Sequence, residues 1–194
     1  MSSVVLSGDT SGTVTLTVPA VAGTNTVTVP AGTGTMAVQG VSTNIVSGTS
    51  VVSTSGTAID FTGIPSWVKR ITVLFNGVST NGTSILLLQI GAGSVINTGY
   101  VSVASVNATN AAQTTGYGVM GVVSAAYTVS GAVRITNITG NTWVSDGVLS
   151  SGAGGNVHVS GGTLALSGTL DRVRLTTVNG TDTFDAGSIN ILYE

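Results

Sequence analysis

Few residues of this chain could carry out acid–base or nucleophilic chemistry. His158 is the single histidine and lies in the glycine-rich run 150–158, in which no G-x-S-x-G motif presents a serine. A Ser-His-Asp mechanism requires the histidine beside an activated serine and an orienting carboxylate. No motif near His158 marks a serine as activated or a carboxylate as its orienting partner. We therefore expect it to be a solvent-facing loop or strand residue.

The carboxylates are also sparse, and Asp182 and Asp185 form the closest pair. Together with backbone carbonyls they could supply some of the oxygen ligands that Ca²⁺ takes. Two acids could also form the pair that glycoside hydrolysis requires. They flank Thr183 and Phe184 in a turn-like segment, where Asp side chains ordinarily accept hydrogen bonds from nearby amides. We expect this turn chemistry, with no cofactor, and the sequence leaves Ca²⁺ binding open.

Two arginines, Arg172 and Arg174, share one face of a presumed strand. Only 6% of the residues are charged, so these side chains are expected to have partners. If a partner is buried, its removal costs about 3–5 kcal/mol. The predicted ion pairs, within one chain or across a subunit boundary, join Arg174 or Arg70 to Asp60, Asp171 or Asp185.

Aromatic rings are the candidates for recognition, because exposed rings anchor contacts with sugars and proteins. Tyr117 lies between two glycines, and Trp143 follows the turn-like residues 140–142. We predict contact roles for Tyr117, Trp143 and Tyr100. For Trp143, a position in the core is an equal alternative. Trp67 precedes a strong strand and is predicted to belong to the core.

The composition excludes several classes of protein. The 194 residues are 42% hydrophobic, and their charged fraction of 6% compares with about 25% in ordinary domains. A net charge of −2 argues against nucleic-acid binding, and the absence of cysteine excludes disulfides and thiolate metal sites. No apolar run approaches the roughly 20 residues of a membrane span, and no signal peptide is recognisable at the first residues. We expect synthesis in a cytoplasm and no membrane insertion.

The first 45 residues are repetitive. Thr17-Val18-Pro19-Ala20 is echoed at residues 28–31, and valine and leucine alternate with threonine at residues 13–18. This period of two predicts short strands with one buried face, ended by Pro19 and Pro30. Either three such chains wind together or each drapes over a neighbour. We interpret residues 1–45 as a β arm for attachment or trimerisation.

A linker is predicted at residues 46–56, and a head domain at residues 57–194. The Asn-Gly dipeptides at 76–77, 81–82 and 179–180 predict tight turns. Many short strands with turn signals between them indicate an all-β, jelly-roll-like antiparallel sandwich. Strands are predicted at residues 71–75, 84–90 (buried on both faces), 100–106, 118–126, 133–138, 142–149, 163–170, 172–178 and 188–193.

Several segments are familiar. Residues 60–71 (DFTGIPSWVKRI), 170–174 (LDRVR) and 184–194 (FDAGSINILYE) resemble segments of tail-associated proteins of tailed bacteriophages. The N-terminal residues 16–20 (LTVPA) are similar to modules of phage fibre-like and virion surface proteins. The resemblance implies a virion location, a homotrimer and no catalytic residues.

The favoured function is therefore a non-enzymatic tail fibre or receptor-binding component. Its arm would attach to other virion proteins of the tail or capsid, and its head would contact the host surface, including surface glycan. A head fibre or capsid decoration protein that stabilises the shell is the main alternative. A polysaccharide depolymerase is a further, less favoured one. The receptor and the host stay open.

Overall fold

The protein is described by a computed structural model over residues 3–7, 13–17, 23, 45–120, 124–153 and 155–194. The chain divides into two compact units, Met1–Val38 and Gln39–Glu194. In the first unit, β1 (Ser3–Ser7) and β2 (Thr13–Thr17) pair in an antiparallel ladder. A strand is thus present where valine and leucine alternate with threonine. Pro19 and Pro30, the predicted strand ends, lie outside the described residues.

In the second unit, every regular element of the described residues is a β-strand, which confirms the all-β class. The strands are β3 (Val46–Ser47), β4 (Val51–Val52), β5 (Ile59–Thr62), β6 (Arg70–Thr80), β7 (Leu86–Ala92), β8 (Ser94–Val95), β9 (Val101–Val106), β10 (Thr109–Gln113), β11 (Tyr117–Gly118), β12 (Val129–Thr139), β13 (Thr142–Ser151), β14 (Asn156–Ala165), β15 (Arg172–Thr177) and β16 (Phe184–Tyr193).

These strands form two antiparallel sheets in a sandwich-like arrangement. The larger sheet has nine strands in the order β10-β9-β14-β13-β12-β6-β16-β3, with β4 also paired to β16. The smaller sheet has five, in the order β11-β7-β15-β5, with β8 paired to β7. The core is built from the inward-facing residues of both sheets.

Side-chain alternation explains how the strands build this core. In β6, Ile71, Val73 and Phe75 are buried and alternate with less buried residues, as their period of two predicted. In β7, every residue from Leu86 to Gly91 is buried, which confirms a strand covered on both faces. Each fully buried large aliphatic side chain contributes about 1.5–3 kcal/mol relative to an exposed one.

One predicted turn is a bulge instead. Asn76-Gly77 lies inside β6, where its pairing with β16 shifts register. Gly77 and Gly187 have φ values of +63° and +91°, and a Cβ on Gly187 would lie 2.4 Å from the carbonyl carbon of Gly77. Gly187 therefore permits a close backbone approach that no larger residue allows, and Gly77 supplies the positive φ of the bulge. The other two Asn-Gly dipeptides do lie in connections between strands.

Three further expectations differ from the structure. The predicted linker contributes β3 and β4 to the edge of the larger sheet, where both pair with β16. Of the strand predicted at 118–126, only Gly118 is in a strand, residues 124–126 are not, and residues 121–123 lie outside the described residues. The glycine-rich run 150–158 is mostly the ends of β13 and β14. Pairing between neighbouring strands there overrides the weak strand propensity of glycine and serine.

Candidate functional site

The three aromatic residues considered for contacts are buried, so the contact roles predicted for Tyr100 and Tyr117 are wrong, and Trp143 takes the core position that the sequence left open. Tyr100 and Tyr117 are each 1% exposed, and their rings meet edge to face with centroids 4.9 Å apart. The Tyr117 hydroxyl donates to the carbonyl of Trp143, which is itself buried. A Cβ on Gly162 would lie 2.9 Å from the Tyr117 ring. Glycine thus makes room for this ring inside the sandwich.

The tyrosine hydroxyls are consistent with core positions. The Tyr100 hydroxyl accepts a hydrogen bond from the Ile90 amide at 2.7 Å and lies 3.1 Å from the Ile96 carbonyl. Desolvation raises the pKa of Tyr100 and of Tyr117 well above the ordinary value of 10.0. Both hydroxyls are therefore neutral hydrogen-bonding groups that fix the two sheets to each other.

His158 is also a core residue, contrary to the expectation that it faces solvent. It lies on β14, is 0% exposed, and its Nε2 is 3.2 Å from the Oγ of Ser151. Burial lowers the pKa of His158 below its usual 6.5. Ser151 is buried as well. A buried hydroxyl cannot reach a substrate carbonyl, so this histidine–serine contact is part of the packing.

Asp182 and Asp185 take part in separate local networks. The Asp182 carboxylate accepts hydrogen bonds from the Ser84 amide at 2.9 Å and from Asn179 Nδ2 at 2.5 Å. The Asp185 carboxylate accepts one from the Ser79 hydroxyl. These are the turn and strand contacts expected of such residues. Within the described residues, no three His, Cys, Asp or Glu side chains are placed to hold a metal ion.

The predicted ion pair between Arg174 and Asp60 is confirmed. Arg174 Nε and Nη2 donate to the two Asp60 oxygens, both at 2.7 Å, and this hydrogen bonding raises the pKa of Arg174. The side chains are 36% and 40% exposed. Such exposed pairs contribute roughly 0.2–1 kcal/mol, so the larger cost expected for a buried pair does not apply.

The other predicted ion pairs are different in the structure. Arg70 pairs with Glu194, the last residue, and not with any of the three predicted aspartates. Asp185 bonds to a serine and not to an arginine. Asp171 pairs with its neighbour Arg172, and its carboxylate also accepts a hydrogen bond from the Gly93 amide. The pairing depends on which strands lie side by side, and the sequence does not show this.

Trp67 is the aromatic residue that the structure exposes. Its side chain is 53% exposed, although the sequence predicted a core position. It lies in a turn closed by the hydrogen bond from the Val68 amide to the Pro65 carbonyl, 3.1 Å. Ile64 and Val68 are buried on either side, so the corner of the turn is left at the surface. Pro65, a residue frequent in turns, was the feature of the sequence that could have indicated this exposed turn.

A cleft adjoins this aromatic residue at one edge of the sandwich. The Trp67 ring lies 5.9 Å from that of Tyr193, at an interplanar angle of 49°. Tyr193 in turn lines a cleft of about 390 Å³ between β5 on one side and β16 with residues 47–51 on the other. We call this the edge cleft. It is lined by Ser47, Gly48, Thr49, Val51, Asp60, Phe61, Thr62, Gly63, Ile64, Ile191 and Tyr193.

A second surface lies on the outer face of the larger sheet. Five valines there are between 43% and 69% exposed, and we call them the valine face: Val101 and Val103 on β9, Val148 on β13, and Val157 and Val159 on β14. Val148 pairs directly with Val159 across the two strands. Beside them, on the same face, Arg134 and Asp146 form an ion pair in which both side chains are more than half exposed.

Comparison with known proteins does not assign the chain to a family. No protein-family model matches it, and no curated protein or solved structure is significantly similar to it. In the part of the chain that the structure describes, no helix has the length and apolar character of a membrane span. The edge cleft and the valine face are therefore the basis for a functional proposal.

Proposed function

We propose that this chain is a non-enzymatic structural protein of a tailed-phage particle. It acts as a homotrimer of jelly-roll-like heads in a tail fibre or receptor-binding component that contacts the host surface. The valine face is the observation that carries this proposal. A single exposed valine is ordinary, whereas neighbouring apolar side chains on adjacent strands are typical of a contact surface.

A second copy of the same chain is the partner that fits the valine face. Arg134 and Asp146 lie side by side at its margin and carry opposite charges. A copy that brings its own Arg134 near Asp146 of its neighbour therefore places opposite charges together. The valines themselves can pack against equivalent valines and lose their contact with water, which favours association.

The N-terminal unit supplies the attachment in this proposal. It would bind other virion proteins of the tail, while the head domain stays free to contact the host. A head fibre or capsid decoration protein would use the same unit to bind the shell. The number of copies per particle separates the two locations: tens of copies indicate the tail, and hundreds indicate the shell.

The test is the mass of the purified full chain by light scattering. We expect three times the chain mass of 19.1 kDa. Val148→Lys should shift the mass towards one chain, because it places a charge within the valine face. Val178→Lys is the matched control at an exposed valine outside that face, and it should leave the mass unchanged. A wild-type protein of one chain mass, or a Val148→Lys variant with unchanged mass, would refute the proposal.

A further inference from the structure

We infer that the edge cleft, together with the exposed ring of Trp67, is a binding site for an uncharged saccharide. The proposed function enters only in naming the host surface as the source of this ligand. Binding itself can be measured on the protein whether or not it belongs to a virion.

The aromatic side of the site explains how a sugar ring would be held. A pyranose has an apolar C–H face, which packs against aromatic rings, and a rim of hydroxyl groups. Trp67 is the large aromatic side chain left at the surface, and its contact with Tyr193 continues the wall of the cleft. Ordering a sugar against these rings removes apolar area of both partners from water.

The polar side of the site supplies partners for sugar hydroxyls. Arg174 binds both oxygens of Asp60 and so fixes the orientation of that carboxylate. An ionised carboxylate has about four acceptor positions, so Asp60 can still accept hydrogen bonds from a ligand. Thr49 and Thr62 are exposed on the same lining and can each donate and accept. This mixture of hydrogen-bond donors and acceptors is complementary to the hydroxyl groups of a sugar.

The charge of the lining selects an uncharged ligand. Among the described residues that line the cleft, Asp60 is the one charged side chain, and Arg174 offsets its charge from outside the cleft. An acidic sugar would bring a second carboxylate towards Asp60. The floor is formed by the buried apolar residues Phe61, Ile64 and Ile191. A volume of about 390 Å³ lies within the range of small-molecule sites, roughly 300–1,000 Å³.

The two tryptophans allow a direct test on the full chain. Trp143 is buried and Trp67 is exposed, so their indole N–H signals in an NMR spectrum of labelled protein report on the core and on the site separately. The neutral probes are maltohexaose and mannohexaose, and hexagalacturonate is the acidic probe. We expect at least one neutral probe to shift the Trp67 signal in a saturable manner and leave that of Trp143 in place.

Variants connect this signal to the cleft. Affinity for the bound neutral probe, measured by calorimetry, should fall about tenfold or more in Trp67→Ala, as for an aromatic contact residue, and less in Trp67→Phe. Asp60→Asn should weaken binding of the neutral probe and strengthen binding of hexagalacturonate. Val178→Ala, at an exposed valine outside both the edge cleft and the valine face, is the matched control and should bind as the wild type does.

Three results would overturn the inference. They are no saturable shift of Trp67 with either neutral probe, unchanged affinity in Trp67→Ala, and equal binding of acidic and neutral probes by the wild type. Light scattering on the same samples separates this outcome from the proposed function. A trimer that binds no sugar refutes only the saccharide site, and a monomer that binds sugar refutes only the assembly. Release of new reducing ends from the probes would instead refute the non-enzymatic proposal.

Discussion

Two consecutive glycines of β14, Gly161 and Gly162, provide a sharp test of the core packing. A Cβ on Gly162 would lie 2.8 Å from Ser102 Cβ and 2.9 Å from Cδ1 of Tyr117. Real Cβ atoms essentially never come this close, so Gly162→Ala must move either strand β9 or the buried tyrosine ring. Tyr117 has little room to move, because its ring packs edge to face on Tyr100.

We expect Gly162→Ala to lower the free energy of unfolding by about 1–3 kcal/mol, the usual cost of overpacking a core. For a chain of this length that corresponds to a decrease in melting temperature of roughly 2–4 °C per kcal/mol. Urea denaturation, followed by circular dichroism, measures the loss directly.

Gly161→Ala is the matched control, one residue along the same strand. A Cβ there would face outward, with its nearest neighbour, the Ser145 carbonyl oxygen, at an ordinary 3.5 Å. Replacing glycine by alanine at a site without strain stabilises by about 0.4–1 kcal/mol, through the unfolded chain. If Gly162→Ala is as stable as Gly161→Ala, Tyr117 does not pack against β14 at this position.

The remaining predictions concern charge. The lowered pKa of His158 means that the folded protein keeps it neutral while the unfolded chain takes up a proton near pH 6.5. Stability should therefore decrease as the pH falls through about 6.5, and His158→Gln should remove this dependence between about pH 7 and pH 5 in denaturation midpoints. Arg174→Ala should lower the free energy of unfolding by no more than about 1 kcal/mol, because its pair with Asp60 is exposed. A loss of several kcal/mol in the same denaturation assay would show that the pair is buried, for example between subunits.

Local patterns in the sequence determined the class of structure. An alternation of apolar and polar residues has the period of a β-strand, and this period does not depend on which strand lies next to it. The strands β6 and β13 were therefore predictable. The continuous apolar run of β7 indicated burial on both faces for the same reason. Two of the three Asn-Gly dipeptides marked connections between strands correctly, because the conformations they favour are set by the residues themselves.

Only the tertiary structure decided which of these residues lie at the surface. Exposure depends on what a distant strand places opposite a side chain. Gly162 opens the space that buries Tyr117, whereas the residues that the structure describes leave the Trp67 side chain more than half exposed. The Asp60–Arg174 pair joins residues 114 positions apart, and it exists because β5 and β15 are neighbours in register. Strand order and register arise from packing of the whole chain, and so the surfaces proposed to bind partners could not be located from local sequence.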